Sequence, residues 1–137
     1  SKNIERIEIE QLSDDVEIKR DGDNWQVVDK NSAEKEWRLA DHPRVSSALG
    51  SFGGLETGPI VSENPEKQSV YRVDDVSGLK VRGYDTNGKI IFDVVVGKNG
   101  PDFISTYIRR ANENKVYLIN RPITGVFSTR ADDWLAK

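Results

Sequence analysis

Apolar and polar residues alternate through much of this chain. Within residues 4–12, Ile7 and Ile9 stand between Arg6, Glu8 and Glu10, a period of two that predicts a half-buried strand. Val16 and Ile18 alternate with Glu17 and Lys19 in the same way. The turn cluster Asp21-Gly22-Asp23-Asn24 follows, then Trp25-Gln26-Val27-Val28, so the two apolar runs read as a hairpin. A polar loop over 29–35 precedes a short strand at 37–39.

The period then changes. Val45, Ala48, Leu49 and Phe52 recur at i, i+3, i+4 and i+7, one apolar stripe on a helix. Asp41 predicts an N-cap, and Pro43 fits the first turn, where a missing N–H costs nothing. Gly53-Gly54 predicts the stop. Gly50 weakens the helix by about 1 kcal/mol relative to alanine. Residues 59–62 read as extended, and Asn64-Pro65 as the start of a short helical turn reaching Tyr71.

The clearest pattern spans 79–97, where two apolar-rich runs flank Asn87-Gly88, the strongest short-range hairpin signal. With Asn87 and Gly88 as a two-residue loop, Thr86 faces Lys89. Leu79 then faces Val96, Val81 faces Val94, and Gly83 faces Phe92, all on one face. The other face places Arg82 across from Asp93 and Tyr84 across from Ile91, and a one-residue slip would lose the charge match. A second hairpin joins 106–110 to 115–119 around Asn112-Glu113-Asn114. Asn120-Arg121-Pro122 repeats the cap-and-proline start at Asp41 and predicts a short helix carrying Val126 and Phe127. Residues 131–135 predict a last helical turn anchored by Trp134.

Antiparallel hairpins followed by helices place the chain in the α+β class, with two or three short helices. Its 137 residues suit one domain. Strands followed by a helix occur twice, so 1–62 and 63–137 read as possible similar halves.

Charge and composition narrow the chemistry. Acidic and basic residues nearly cancel at a net charge of −3, which disfavours general nucleic-acid binding. Cysteine is absent, which removes disulfides, thiolate zinc sites and cysteine nucleophiles and leaves the redox compartment unread. Methionine is also absent, so a chain starting at Ser1 reads as a processed or excised piece. No run approaches the roughly 20 apolar residues that span a bilayer.

The one histidine, His42, falls in a helix first turn beside Asp41, Ser46 and Ser47, too close along one element for a catalytic triad. Gly50 to Gly54 ends a helix, whereas phosphate loops open one, and Gly97-Lys98 is followed by Asn99 in place of Ser or Thr. The acidic pairs Asp14-Asp15, Asp74-Asp75 and Asp132-Asp133 lack calcium-loop spacing, as does Asp21 to Asn24, where Ser32 stands at the twelfth position. These read as solvated turns. Arg109, Arg110 and Lys115 with Tyr107 and Tyr117 outline a stacking platform for single strands, against which stands the acidic net charge. No catalytic, cofactor or metal residue is assigned.

Taken in order, Ile4 to Ile9, Val16 to Arg20, the Asp-Gly-x-x-Trp-x-Val run at Asp21 to Val27, and Leu39-Ala40-Asp41 leading into 45–55 form a series. Val94 to Gly97, Thr106 to Arg109 and Lys115 to Leu118 continue it. The series resembles a bacterial envelope family named only as a domain of unknown function, in the four-three-four-zero series. The resemblance implies a membrane-anchored protein whose folded part lies outside the cytoplasmic membrane, on the periplasmic side, with the anchor absent from this chain. It also implies an accessory role beside gliding-type ABC-transporter components, which would be the protein partners. The family has no assigned catalytic residue to carry over. The expectation is a non-enzymatic extracytoplasmic interaction domain, without cofactor. The alternative is a module for polysaccharide or lipid using Tyr84, Tyr107 or Tyr117, and behind it a hydrolase of paired carboxylates.

Overall fold

A computed structural model describes residues 4–51 and 59–136. The predicted strands form one antiparallel sheet of nine: β1 (Arg6–Gln11), β2 (Asp14–Asp21), β3 (Asn24–Asp29), β4 (Arg38–Ala40), β5 (Ile60–Ser62), β6 (Leu79–Tyr84), β7 (Ile90–Asn99), β8 (Thr106–Arg110) and β9 (Val116–Ile119). Their order across the sheet is β4-β3-β2-β1-β6-β7-β8-β9-β5. Two meanders thus start from a central β1–β6 pair and step outward. At the far edges they exchange ends: β5, from the first half, pairs with β9. The C-terminal tail of the second half bridges Leu135 to Ala40 of β4.

The class is α+β with little helix. The one α-helix among the described residues, α1 (His42–Gly50), buries Val45 and Ala48. Asp41 sits at its N-cap but makes no side-chain cap bond. Its backbone serves instead: its carbonyl accepts from Val45, and its N–H donates to Trp134 O at 2.7 Å. Phe52, Gly53, Gly54 and Leu55, expected to complete and stop this helix, lie outside the described residues. Pro65–Tyr71 and Ala131–Trp134 are 3-10 turns; the Asn64 side chain caps the first through Glu66 N–H at 2.9 Å.

The helix expected after Asn120 does not form. Thr106 Oγ1 donates to Arg121 O and accepts from Ile123 N–H, so the groups that would open a helix are spent on β8. Gly125, at φ +87°, then leaves helical space. Ile123 and Phe127 reach the core from this irregular turn.

The register of the 79–97 hairpin holds from Leu79↔Val96 to Gly83↔Phe92 and then slips, so Tyr84 pairs with Ile90 instead of Ile91. Thr86 and Lys89 are not partners; Asp85 N–H donates to Lys89 O, and Gly88 N–H donates to Asp85 O. Gly88 is left-handed at φ +80° and Asn87 is not. That is a type I turn closed by a glycine bulge, which replaces the two-residue loop. Asp85 selects it, because its Oδ1 accepts from both the Asn87 and Lys89 N–H groups at 2.9 Å. At Gly83 the Phe92 ring occupies the space a Cβ would need.

The main core lies on one face of the sheet. Ile7, Ile9, Val16, Ile18, Val27 and Val81 pack there under α1 and the 123–135 segment, with Trp134 fully buried. A smaller cluster on the opposite face, Val73, Val95, Tyr107 and Val116, is covered by Tyr71.

Candidate functional site

Alternation along β1, β2 and β6 turns a charged set to the face away from α1. Glu8 is directly opposite Glu17 on β2 and Arg82 on β6. It accepts from Arg82 at 3.0 Å, from the Tyr84 hydroxyl at 2.7 Å and from Arg6 at 2.5 Å. Arg6 stacks on the Tyr84 ring at 3.8 Å. Arg82 also reaches Glu10 at 3.1 Å and Asp93 at 3.6 Å. The like-charged Glu8 and Glu17 are reconciled by Arg6 between them and by Lys30, 3.2 Å from Glu17. Lys19 lies 4.1 Å over the Trp37 ring. Burial pushes Glu8 upward, but the Tyr84 hydrogen bond and the charges of Arg6 and Arg82 outweigh it and hold its carboxyl below the usual range. The result is a half-exposed face of arginine, tyrosine and tryptophan whose side chains are already fixed.

A second surface forms at one end of the sheet. The β1–β2 turn, the loop before β6, the β7–β8 loop and the segment after β9 all meet there, as strand directions require. Among the described residues only three large apolar side chains exceed 70% exposure, and all are at this end: Leu12 (77%), Val76 (75%) and Phe103 (78%). Ile104 follows at 55%. Four non-glycine residues have positive φ among those described, and three are here: Leu12 (55°), Arg72 (61°) and Phe103 (60°). Leu12 takes the first position of a two-residue hairpin loop, where glycine is usual. A cleft of about 340 Å3 opens at this end, lined by Leu79, Val96, Gln11, Thr124, Arg72 and Lys98.

The residues singled out from the sequence are dispersed. His42 and Ser46 line a cleft of about 450 Å3 with Arg20 and Trp25, yet no hydrogen bond joins His42 to Ser46 or Asp41 among the described residues. Arg109 is buried at 3% exposure; it donates to Val73 O, Ala111 O and Glu113 O and pairs with Asp75 at 2.7 Å. It is therefore unavailable to a single strand. Tyr107 and Tyr117 fall on opposite faces of the sheet; Tyr107 packs on Tyr71, ring centroids 4.6 Å apart, and Tyr117 stacks against Arg110. Five of the six paired aspartates are engaged: Asp74 with Ser77, Asp75 with Arg109, Asp132 with Arg38, Asp133 with Ser128, Asp14 with Thr129. Among the described residues no cluster of potential ligands could hold a metal ion, and no helix is long and apolar enough to cross a membrane.

Sequence reasoning found Arg82–Asp93 but missed Glu8, Arg6 and Tyr84 as its companions. The register of β1 against β6 would have revealed them, and nothing local encodes that pairing. Leu12 and Phe103 were missed as exposed groups, although each stands in a turn, where an apolar residue is itself a signal.

No curated protein and no solved structure matches this chain. The model of the family described as Domain of unknown function (DUF4340) matches residues 25–137, from the first strand after the Asp-Gly turn to the C-terminus. The chain belongs to the DUF4340 family.

Proposed function

We propose that this chain is a non-enzymatic, extracytoplasmic accessory domain of a membrane-anchored protein, docking a protein component of an ABC-type transporter system through its charged face. The observation that carries the reading is the fixed network around Glu8. Arginine, tyrosine and tryptophan are the side chains that most often anchor interfaces. Arg6, Arg82 and Tyr84 are held by one another before any partner arrives, so binding orders few new rotamers. The envelope placement and the transporter rest on the resemblance of the family.

The test is site-specific photo-crosslinking in cells, with the probe at Lys19 or Lys80 on this face and at Ser47 of α1 on the other side of the sheet. Cross-links to transporter components from the face alone, lost in Arg82→Glu, support the reading. Cross-links from Ser47 but none from the face overturn it. The same reading takes the halves 1–62 and 63–137 as diverged copies, supported by the two outward meanders and their exchanged ends. Of the alternatives, a lipid ligand has an observation of its own in the loop end of the sheet.

A further inference from the structure

We propose that the loop end of the sheet is a lipid-docking surface: Leu12, Val76, Phe103 and Ile104 enter the interfacial region of a bilayer while Arg72 and Lys98 meet its anionic phosphate headgroups. The inference stands apart from the protein partner of the charged face, because it uses different residues.

Three observations converge on it. First, the most exposed apolar side chains of the described residues gather at this one end, each on a separate loop. Water disfavours such a grouping, and it marks a surface that something covers. Second, the exposure is imposed by backbone strain. A left-handed conformation is costly for leucine or phenylalanine, and both are held there with their side chains outward. The Phe103 loop is fixed by Asp102, which accepts the Ile104 and Ser105 N–H groups at 3.0 and 2.9 Å.

Third, the charges at this end are sorted. Four of the carboxylates at this end, though Asp14, Asp75 and Asp102 stay exposed, already hold partners within the chain: Asp102 its own loop, Asp74 the Ser77 N–H and hydroxyl, Asp75 Arg109, and Asp14 Thr129. Arg72 and Lys98 are exposed, line the cleft at this end, and have no ion-pair partner among the described residues. Outward cations beside apolar tips complement an anionic bilayer, in which acyl chains take the tips and phosphates take the cations. A protein groove could cover the tips, but it would not by itself call for unpaired cations at the same end.

The experiment is flotation of the 137-residue chain with vesicles of phosphatidylcholine alone or mixed with phosphatidylglycerol. The chain should float with the mixed vesicles and release as salt rises. The double variant Leu12→Asn and Phe103→Asn should bind about tenfold less, having lost two apolar side chains. Asparagine tolerates the left-handed backbone, so this variant should unfold at no lower temperature than the native chain. Ile104→Asp, at a position of ordinary backbone, is the second variant and should lose binding likewise. Arg72→Asn with Lys98→Asn should abolish the preference for anionic vesicles. Ile90→Ser, at the opposite end of the sheet, should float as the native chain does. Failure of the native chain to float, flotation of both apolar variants at the native level, or release by millimolar inorganic phosphate alone would overturn the proposal. The cross-linking outcome on the charged face is unaffected by any of these results.

Discussion

Glu8 is the residue on which the charged face depends. One carboxylate takes donors from Arg6, Arg82 and Tyr84, and its side chain is only 15% exposed. Removing its charge leaves two guanidinium groups facing each other across β1 and β6. Glu8→Gln should therefore cost about 1–3 kcal/mol at neutral pH, the range for a hydrogen-bonded charged group. The pH dependence follows from the lowered carboxyl of the folded state. A depressed acid binds its proton more weakly when folded than when unfolded. Its contribution is present above the unfolded value, about 4.3, and is lost as pH falls through the folded value. Urea unfolding at a series of pH values should show the native chain and Glu8→Gln converging below about pH 4. A constant gap between them down to pH 2 would mean that the network contributes packing and not charge. The sequence disclosed only one outlying pair of this set. Arg82–Asp93 follows from a local hairpin, whereas Glu8 lies 74 residues from Arg82 and meets it only through the β1–β6 seam.

Elements were legible wherever local chemistry decides them. Alternation and turn residues marked the strands within a few residues, the Val45, Ala48 and Leu49 stripe marked α1, and Asn64-Pro65 marked the 3-10 turn. The failures arose where a longer-range partner overrode a local preference. Thr106 on β8 consumed the groups that the Asn120 segment needed to start a helix. At the 79–97 hairpin, Asp85 competed with Asn87-Gly88 for control of the turn and won. The two geometries make different demands on Asn87. A type I′ loop needs positive φ there, whereas the type I turn with a glycine bulge needs it only at Gly88. Gly88→Ala should then cost about 1–2 kcal/mol, the penalty for a side chain in left-handed backbone. Asn87→Ala should stay within about 0.5 kcal/mol of native. Thermal or urea unfolding of the two variants separates the cases, and equal costs would restore the two-residue loop.

At the scale of the molecule, the sheet is closed on itself in sequence at both edges. Alternation could predict which residues share a face but not which strands are neighbours, so the exchange of ends was beyond a local reading. It has a mechanical consequence. Residues 1–62 contribute β5 to the edge of the second meander, and residues 63–137 contribute the tail that bridges β4. Asp41 N–H donates to Trp134 O, Ala136 N–H to Leu39 O, and Trp134 is fully buried in a core built from both halves. Either half alone would expose a central strand, β1 or β6, along its whole hydrogen-bonding edge, and would lose an outer strand or bridge as well. Open central edges of that kind are not stable in water and template aggregation. The halves should therefore be complementary and not autonomous. Expressed separately as 1–62 and 63–137, each should lack a cooperative unfolding transition. Mixed, they should form a one-to-one complex that recovers the amide-exchange protection of β1 and β6 and unfolds in one step. A fragment that unfolds cooperatively by itself would show that the exchanged ends are ornament on an independent half, and the duplication would then have to be read as two domains side by side.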